Sequence, residues 1–303
     1  MRFTIFQDSH KGGRKVNQDR LAYSYGKDVL LMVIADGMGG HARGEIAAEI
    51  TVNTITARFQ QEARSPLKKP LEFLYASFNA AHRAIIAFAD QHEMLESPRT
   101  TCVGCIVQDG KAYWAHSGDS RLYVLRNGNL GATTLDHSRV RQLIDAGVIT
   151  EAQAETHPDR NKIYNCLGGV LPPEVTLSEE WNMQVGDTIL MSTDGFWAQV
   201  STPFLATKLT KAGIVDLLPG LMQDAERKAG ADADNLSVVA MTWEKQDEVA
   251  DIPTQTVTST VPMEGFRTHT SMGGEGVTSD IITEADIERA ISEIQSAIKK
   301  VSK

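Results

Sequence analysis

The sequence is short of cysteine, short of positive charge and without a long apolar run, and each shortage closes off a class of protein. Its 303 residues include three cysteines, Cys102, Cys105 and Cys166. So low and odd a number cannot build a disulfide framework and suits a reducing compartment. Cys102 and Cys105 form a CxxC, but no second CxxC or CxxH completes a zinc site. They sit in TTCVGCIVQ, which reads as a strand, where residues three apart face opposite ways. Both are expected to pack in the core. Lys and Arg number 30 against 39 Asp and Glu, a net charge of −9. That balance argues against nucleic acid or an anionic membrane as partner through bulk charge. It favours solubility, and it leaves room for acid concentrated in one place to hold cations. The longest clean apolar run, Val29–Ala35, falls far short of the ~18 residues that span a bilayer. The opening stretch MRFTIFQDSHKGGRK turns polar too early for a secretory signal. The expected location is the cytoplasm.

What is present suits a globular chain, with 42% apolar and 23% charged residues. Residues 1–243 read as one domain. Val29–Ala35 is rich in strand formers and suits a strand buried on both faces. Gly44–Ala63 and Leu71–Asp90 carry apolar residues at helical spacing. Thr101–Val107, Lys111–His116 and Arg121–Leu125 are strand candidates in close order, with turns at Asp109-Gly110 and Asn127-Gly128. They predict an antiparallel meander. Leu135–Thr156 reads as short helices, Thr188–Ser192 and Leu236–Thr242 as buried strands, and Ile214–Lys228 as a helix between them. Strands, then helices, then strands predict an α+β fold of antiparallel sheets with helices outside, not a doubly wound sheet.

Beyond residue 243 the composition changes. Residues 244–282 carry scattered charge, glycines and the patch Thr254, Thr256, Thr258, Thr260, and read as a flexible linker. Residues 283–303 read as an amphipathic helix capped by Thr283, with the stripe Ile287, Ile291, Ile294, Ile298, Val301. Such a stripe can dock on the domain, meet a partner or drive self-association.

Chemistry is suggested by aspartates where strands stop. Asp36 ends the run Val29–Ala35, within Asp36-Gly37-Met38-Gly39-Gly40-His41. Asp194 follows Thr188–Ser192, Asp234 precedes Leu236–Met241, and Asp119 lies between two strands. If these strands lie side by side, four carboxylates reach one edge. Such a cluster repels itself unless cations compensate it. Hard oxygen ligands favour Mg²⁺ or Mn²⁺, and two such ions can activate a water for in-line attack on phosphorus. A glycine after Asp lets a backbone carbonyl approach a metal. Arg14, in GGRKVNQD, can hold a phosphate bidentately.

Taken in order, these segments resemble the PPM family, the protein phosphatase 2C type of metal-dependent phosphatases. The matching stretches are GGRKVNQD (12–19), VIADGMGGHARGE (33–45), GDSRLYVLRNG (118–128), DHSRVRQLIDAGVIT (136–150), MSTDGFW (191–197) and DNLSVVAM (234–241). The resemblance implies a four-layer α-β-β-α sandwich with the metals in a cleft at one end. It implies hydrolysis of phosphoserine and phosphothreonine by metal-bridging water. Asp36 would bridge two Mn²⁺ or Mg²⁺ ions, the Gly37 carbonyl would bind one, and Asp194 and Asp234 the other. Asp119 with Asp194 would hold a third, weaker ion. Asp36, Asp194 and Arg14 would be the catalytic set, Arg14 receiving the phosphate. Residues 145–169 would include a flap beside the site. Phosphoprotein substrates and a cognate serine/threonine kinase follow as partners. Gln18 stands where many members have Glu, and Met38 where some have a histidine proposed as general acid, which leaves that role unassigned between metal-bound water and His41, a structural role being favoured for His41. Ile163-Tyr164-Asn165-Cys166 departs from the Thr-Arg-Ala pattern common before Leu-Gly, which bears on the flap and not on the chemistry. A pseudophosphatase that binds phosphoproteins without turnover is the alternative reading, and a two-metal nuclease is disfavoured by the acidic surface.

Overall fold

The computed structural model describes residues 1–39, 43–63, 66–244 and 259–260. His41, the 283–303 helix and most of the 244–282 linker lie outside the described residues. The strands are β1 (Phe3–His10), β2 (Asp19–Tyr25), β3 (Val29–Met38), β4 (Arg99–Thr100), β5 (Cys102–Gln108), β6 (Lys111–Ser117), β7 (Arg121–Arg126), β8 (Asn129–Thr133), β9 (Thr176–Leu177), β10 (Trp181–Asn182), β11 (Thr188–Ser192), β12 (Leu236–Trp243) and β13 (Ser259–Thr260). The helices are α1 (Gly44–Glu62), α2 (Pro70–Gln91), α3 (Arg139–Asp145), α4 (Glu151–Ala154), α5 (Asp194–Trp197), α6 (Thr202–Leu209) and α7 (Ile214–Ala229). None of the described helices is long and apolar enough to cross a membrane.

The strands form a five-stranded sheet ordered β1-β12-β11-β7-β8 and an eight-stranded sheet along β10-β6-β5-β3-β2-β13, with β4 on β3 and β9 on β6. Neighbours pair antiparallel, as in β3 against β2 and β5. The alternation of side chains sorts each central strand between two cores. On β3, Leu30, Met32 and Ile34 face inward with Leu122, Val124, Ile189, Met191, Val239 and Met241 of the other sheet. Leu31, Val33 and Ala35 face outward under Val52, Ile55, Phe59, Leu74 and Phe78 of α1 and α2. A third core packs Leu190, Val238 and Ala240 against Phe196, Leu205, Leu218 and Met222 of α5, α6 and α7. The layers are therefore helix, sheet, sheet, helix, as expected. Cys102 and Cys105 fall in different cores and are free thiols.

One expectation is corrected. The strands β5, β6 and β7 do not form a meander: β5 pairs with β6, but β7 pairs with β11 and β8 in the other sheet. The chain crosses between sheets at Ser117–Ser120, where Gly118 takes φ +105°. That crossing carries Asp119 to the end of the sandwich. Within the expected linker, Ser259–Thr260 pair with Tyr23 and Ala22 at the edge of β2.

Candidate active site

Asp36 sits near the end of β3, opposite Asp19 at the start of β2. Its backbone is fixed by two threonines that the sequence reading passed over. Thr101 N donates to Asp36 O at 2.9 Å, Asp36 N donates to Thr101 Oγ1 at 3.1 Å, and Thr100 Oγ1 donates to Asp36 O at 2.8 Å. Thr101 Oγ1 also lies 2.7 Å from Ser120 Oγ, so one buried side chain ties Asp36 to the turn that carries Asp119. Gly37 follows under α1: a Cβ there would stand 2.2 Å from Gly44 O.

Asp119 is buried in the crossover. Trp197 Nε1 donates to its carbonyl at 3.0 Å, and the Trp197 ring lies 3.6 Å beneath the Arg121 guanidinium, which donates to Asp136 through Nε and Nη2. Asp194 opens α5 directly after β11 and Thr193. Asp234 precedes β12 and receives Arg14 through Nε and Nη2, at 2.9 and 2.8 Å. The pair is open to solvent, with Arg14 58% and Asp234 41% exposed. Asn235 staples the loop that carries Arg14: its Nδ2 donates to Lys11 O and Val16 O, and its Oδ1 accepts from Gln18 N. Gln18 Nε2 donates to Glu45 of α1 at 3.2 Å.

The aspartates feel one another. Burial, then the charges of Asp19, Asp194, Asp119 and Asp234, push Asp36 well above the usual carboxylate range. Burial and Asp194 raise Asp119 to about 8, with Arg121 pulling the other way. Burial and Asp234 raise Asp194 to about 6, against a Gly195 backbone hydrogen bond and Arg14. Asp19 is wholly buried; burial and the charges of Asp194 and Asp234 raise it to about 7, opposed by the Ser237 and Thr193 hydroxyls. Its Oδ2 accepts from Thr193 Oγ1 at 2.8 Å, while its buried Oδ1 has no partner at hydrogen-bonding geometry. Such mutual repulsion, with an orphaned oxygen, fits divalent cations as the missing countercharge. Among the described residues no three His, Cys, Asp or Glu gather closely enough to chelate one ion unaided. Water and backbone oxygens would have to complete any shell, as Mg²⁺ ordinarily requires.

Thus Asp36, Asp119, Asp194 and Asp234 share one electrostatic environment, and Arg14 belongs to it through Asp234. Sequence reasoning overlooked Thr101, Thr193, Asn235 and Trp197. The last three lie inside the quoted motifs, which is the signal that could have found them.

The protein phosphatase 2C family profile matches residues 6–233. A 2C-type protein phosphatase of Streptococcus pyogenes is 30% identical over 77% of this chain and 94% of its own length. The solved serine/threonine phosphatase of S. agalactiae has 30% identity and a TM-score of 0.73, covering 80% of this chain and 100% of that one. The catalytic domain of the serine/threonine phosphatase PstP, solved with two manganese ions, has 29% identity and a TM-score of 0.66, covering 80% of this chain and 99% of that one. This chain spans 43% of full-length PstP of Mycobacterium tuberculosis. By sequence and by layer order, the chain belongs to the protein phosphatase 2C family.

Proposed function

We propose that this protein removes phosphate from phosphoserine and phosphothreonine in proteins, using Mn²⁺ or Mg²⁺. The observation that carries the reading is the set of aspartates that lift one another's pKa at one end of the sandwich. Asp36, the Gly37 carbonyl, Asp194 and Asp234 would hold two ions, and Asp119 with Asp194 a weaker third. When bound, such ions supply an acidified water for attack on phosphorus and positive charge against the phosphoryl oxygens. The protein's own part is placement. Thr100 and Thr101 hold Asp36 in register with the Asp119 turn. Asn235 holds the loop from which Arg14 projects. Arg14 already presents its planar fork to the two oxygens of Asp234. The same fork suits two phosphate oxygens, and its exposure leaves it free to exchange one for the other.

A serine/threonine kinase is the proposed opposing partner, because a phosphoprotein must be written before it is erased. The free cysteines support a cytoplasmic setting. Residues 244–282 are proposed as a linker, and 283–303 as a helix that docks, meets a partner or self-associates. The central test is hydrolysis of an aryl phosphate and of a phosphothreonine peptide. EDTA should abolish both and Mn²⁺ restore them. Asp36→Asn and Asp194→Asn should each lower turnover about a hundredfold or more. Normal turnover in both variants would refute the assignment, and no turnover by wild type would favour the binding-only alternative.

A further inference from the structure

His137 and Asn165 take no part in the chemistry above, yet both are buried beside it, 4% and 8% exposed. Their contacts join two pieces of chain with different duties. On one side is the Gly118–Asp119 turn: His137 N donates to Gly118 O at 2.9 Å, and Gly118 N donates to His137 Nδ1 at 3.2 Å. A backbone N–H can only donate, so Nδ1 is an acceptor and the ring proton sits on Nε2. Nε2 then donates to Thr176 Oγ1 at 2.9 Å. On the other side is the C-terminal limb of the segment expected to be a flap. Arg139 N donates to Lys162 O, and Tyr164 N to His137 O. Asn165 makes a two-way bond with Glu174, accepting from its N–H at 2.9 Å and donating to its carbonyl at 2.7 Å. The same amide nitrogen also reaches Ser117 Oγ and His137 Nδ1. His116 stacks on the His137 ring at 4.6 Å and fixes its plane. Burial holds both rings in the neutral form that this arrangement requires.

We infer that His137 and Asn165 are positioning residues for Asp119, locking the flap limb at 162–165 to the Gly118–Asp119 turn so that the seating of the flap and the strength of the weakest divalent-ion site are set together. The inference rests on the proposed role of Asp119 as a ligand of that ion. Its physical basis is that Asp119 reaches the site from a turn between two sheets. A turn has no ladder of its own, so its aim depends on the groups that clamp it.

The test uses the full chain and Mn²⁺ alone, followed by titration calorimetry. Asparagine places its Oδ1 where the imidazole has Nδ1, whereas glutamine places its polar end where the imidazole has Nε2. His137→Gln should therefore weaken the weakest Mn²⁺ site about tenfold, the lower end of what outer-shell partners contribute. His137→Asn should stay close to wild type despite its smaller volume. Asn165→Ala should reproduce the His137→Gln loss, and proteolytic cleavage within 145–169 should rise in the same two variants. The tighter ions should be unchanged throughout. A packing role predicts the reverse order, with glutamine the better substitute because it fills more of the ring's volume. Wild-type Mn²⁺ binding in both His137→Gln and Asn165→Ala, or equal weakening by Asn and Gln at 137, would overturn the inference. Should His137→Gln not fold, Asn165→Ala alone carries the comparison. Asp119→Asn is the control: if it leaves the weakest site intact, the ligand role of Asp119 fails first, a result distinct from failure of the positioning.

Discussion

His10, at the end of β1, stands between two carboxylates, with Nδ1 2.8 Å from Glu226 Oε2 and Nε2 3.1 Å from Asp8 Oδ2. The hydrogen bond to Asp8 raises its pKa to about 9, burial opposes this, and Glu226 adds to it. A histidine whose folded pKa exceeds its unfolded value stabilises the fold fully below pH ~6.5. That contribution is lost as the pH rises through about 9. The side chains are 23–39% exposed, so solvent screening keeps the gain modest. The urea midpoint of wild type should exceed that of His10→Gln at pH 6, and the gap should close by pH 10. A gap of equal size at both pH values would mean that the imidazolium is not the stabilising species. The consequence reaches the site, because β1 leads directly into the loop that carries Arg14.

Among the elements, α1 is seated backbone against backbone. Its first residue, Gly44, lies against Gly37 at the end of β3: a Cβ on Gly44 would stand 2.5 Å from both Gly37 C and Met38 N. Backbone meets backbone here, so no flexible side chain can yield. Gly37→Ala and Gly44→Ala should each cost about 3 kcal/mol in chemical denaturation and misplace the Gly37 carbonyl. A loss below about 1 kcal/mol would show that α1 can slide. This contact also shows what the sequence could reveal. The glycines are visible as letters, but their meeting depends on where a helix begins after a loop. Val29–Ala35 was legible because every residue is apolar and both faces are covered. Thr188–Ser192 was legible because Ile189, Leu190 and Met191 make a continuous apolar run, buried on both faces. By contrast β1 is mostly half-buried, and its mixed pattern hid it. The jump of β7 to the other sheet was illegible, since sequence adjacency gives no sign of which sheet a strand joins. In the site, the aspartates stood out because strands ended at them. Their supports, Thr101, Asn165 and His137, are ordinary residues that matter only through partners distant in the chain.

At the scale of the whole molecule, the sandwich converts ordinary strand ends into stored repulsion. The folded chain holds Asp19 near 7 and Asp119 near 8, and Asp36 well above its usual range, while an unfolded chain leaves aspartate near 3.8. A carboxylate whose folded pKa is raised costs nothing below its unfolded pKa. It destabilises the fold progressively as the pH climbs from the unfolded to the folded value, and by a constant amount above that. Metal-free protein should therefore lose stability between pH 4 and 8, because the folded state binds more protons than the unfolded one. Divalent ions that bind only the folded state reverse this, by about 2.7 kcal/mol at a hundred times their dissociation constant. Protons compete for the same oxygens, so the benefit should be larger at pH 8 than at pH 5. Thermal unfolding in EDTA and in Mn²⁺ at the two pH values measures both effects. The His10 contribution declines over part of the same range, so Asp119→Asn supplies the reference. In EDTA this variant should melt above wild type at pH 8 and by a smaller margin at pH 5, the margin vanishing only below the unfolded pKa near 3.8. It should also gain less from Mn²⁺. A wild type whose metal-free melting temperature is flat across the range, with equal Mn²⁺ shifts at both ends, would mean that the aspartates do not repel one another as the fold requires, and the case for cations among them would go with it.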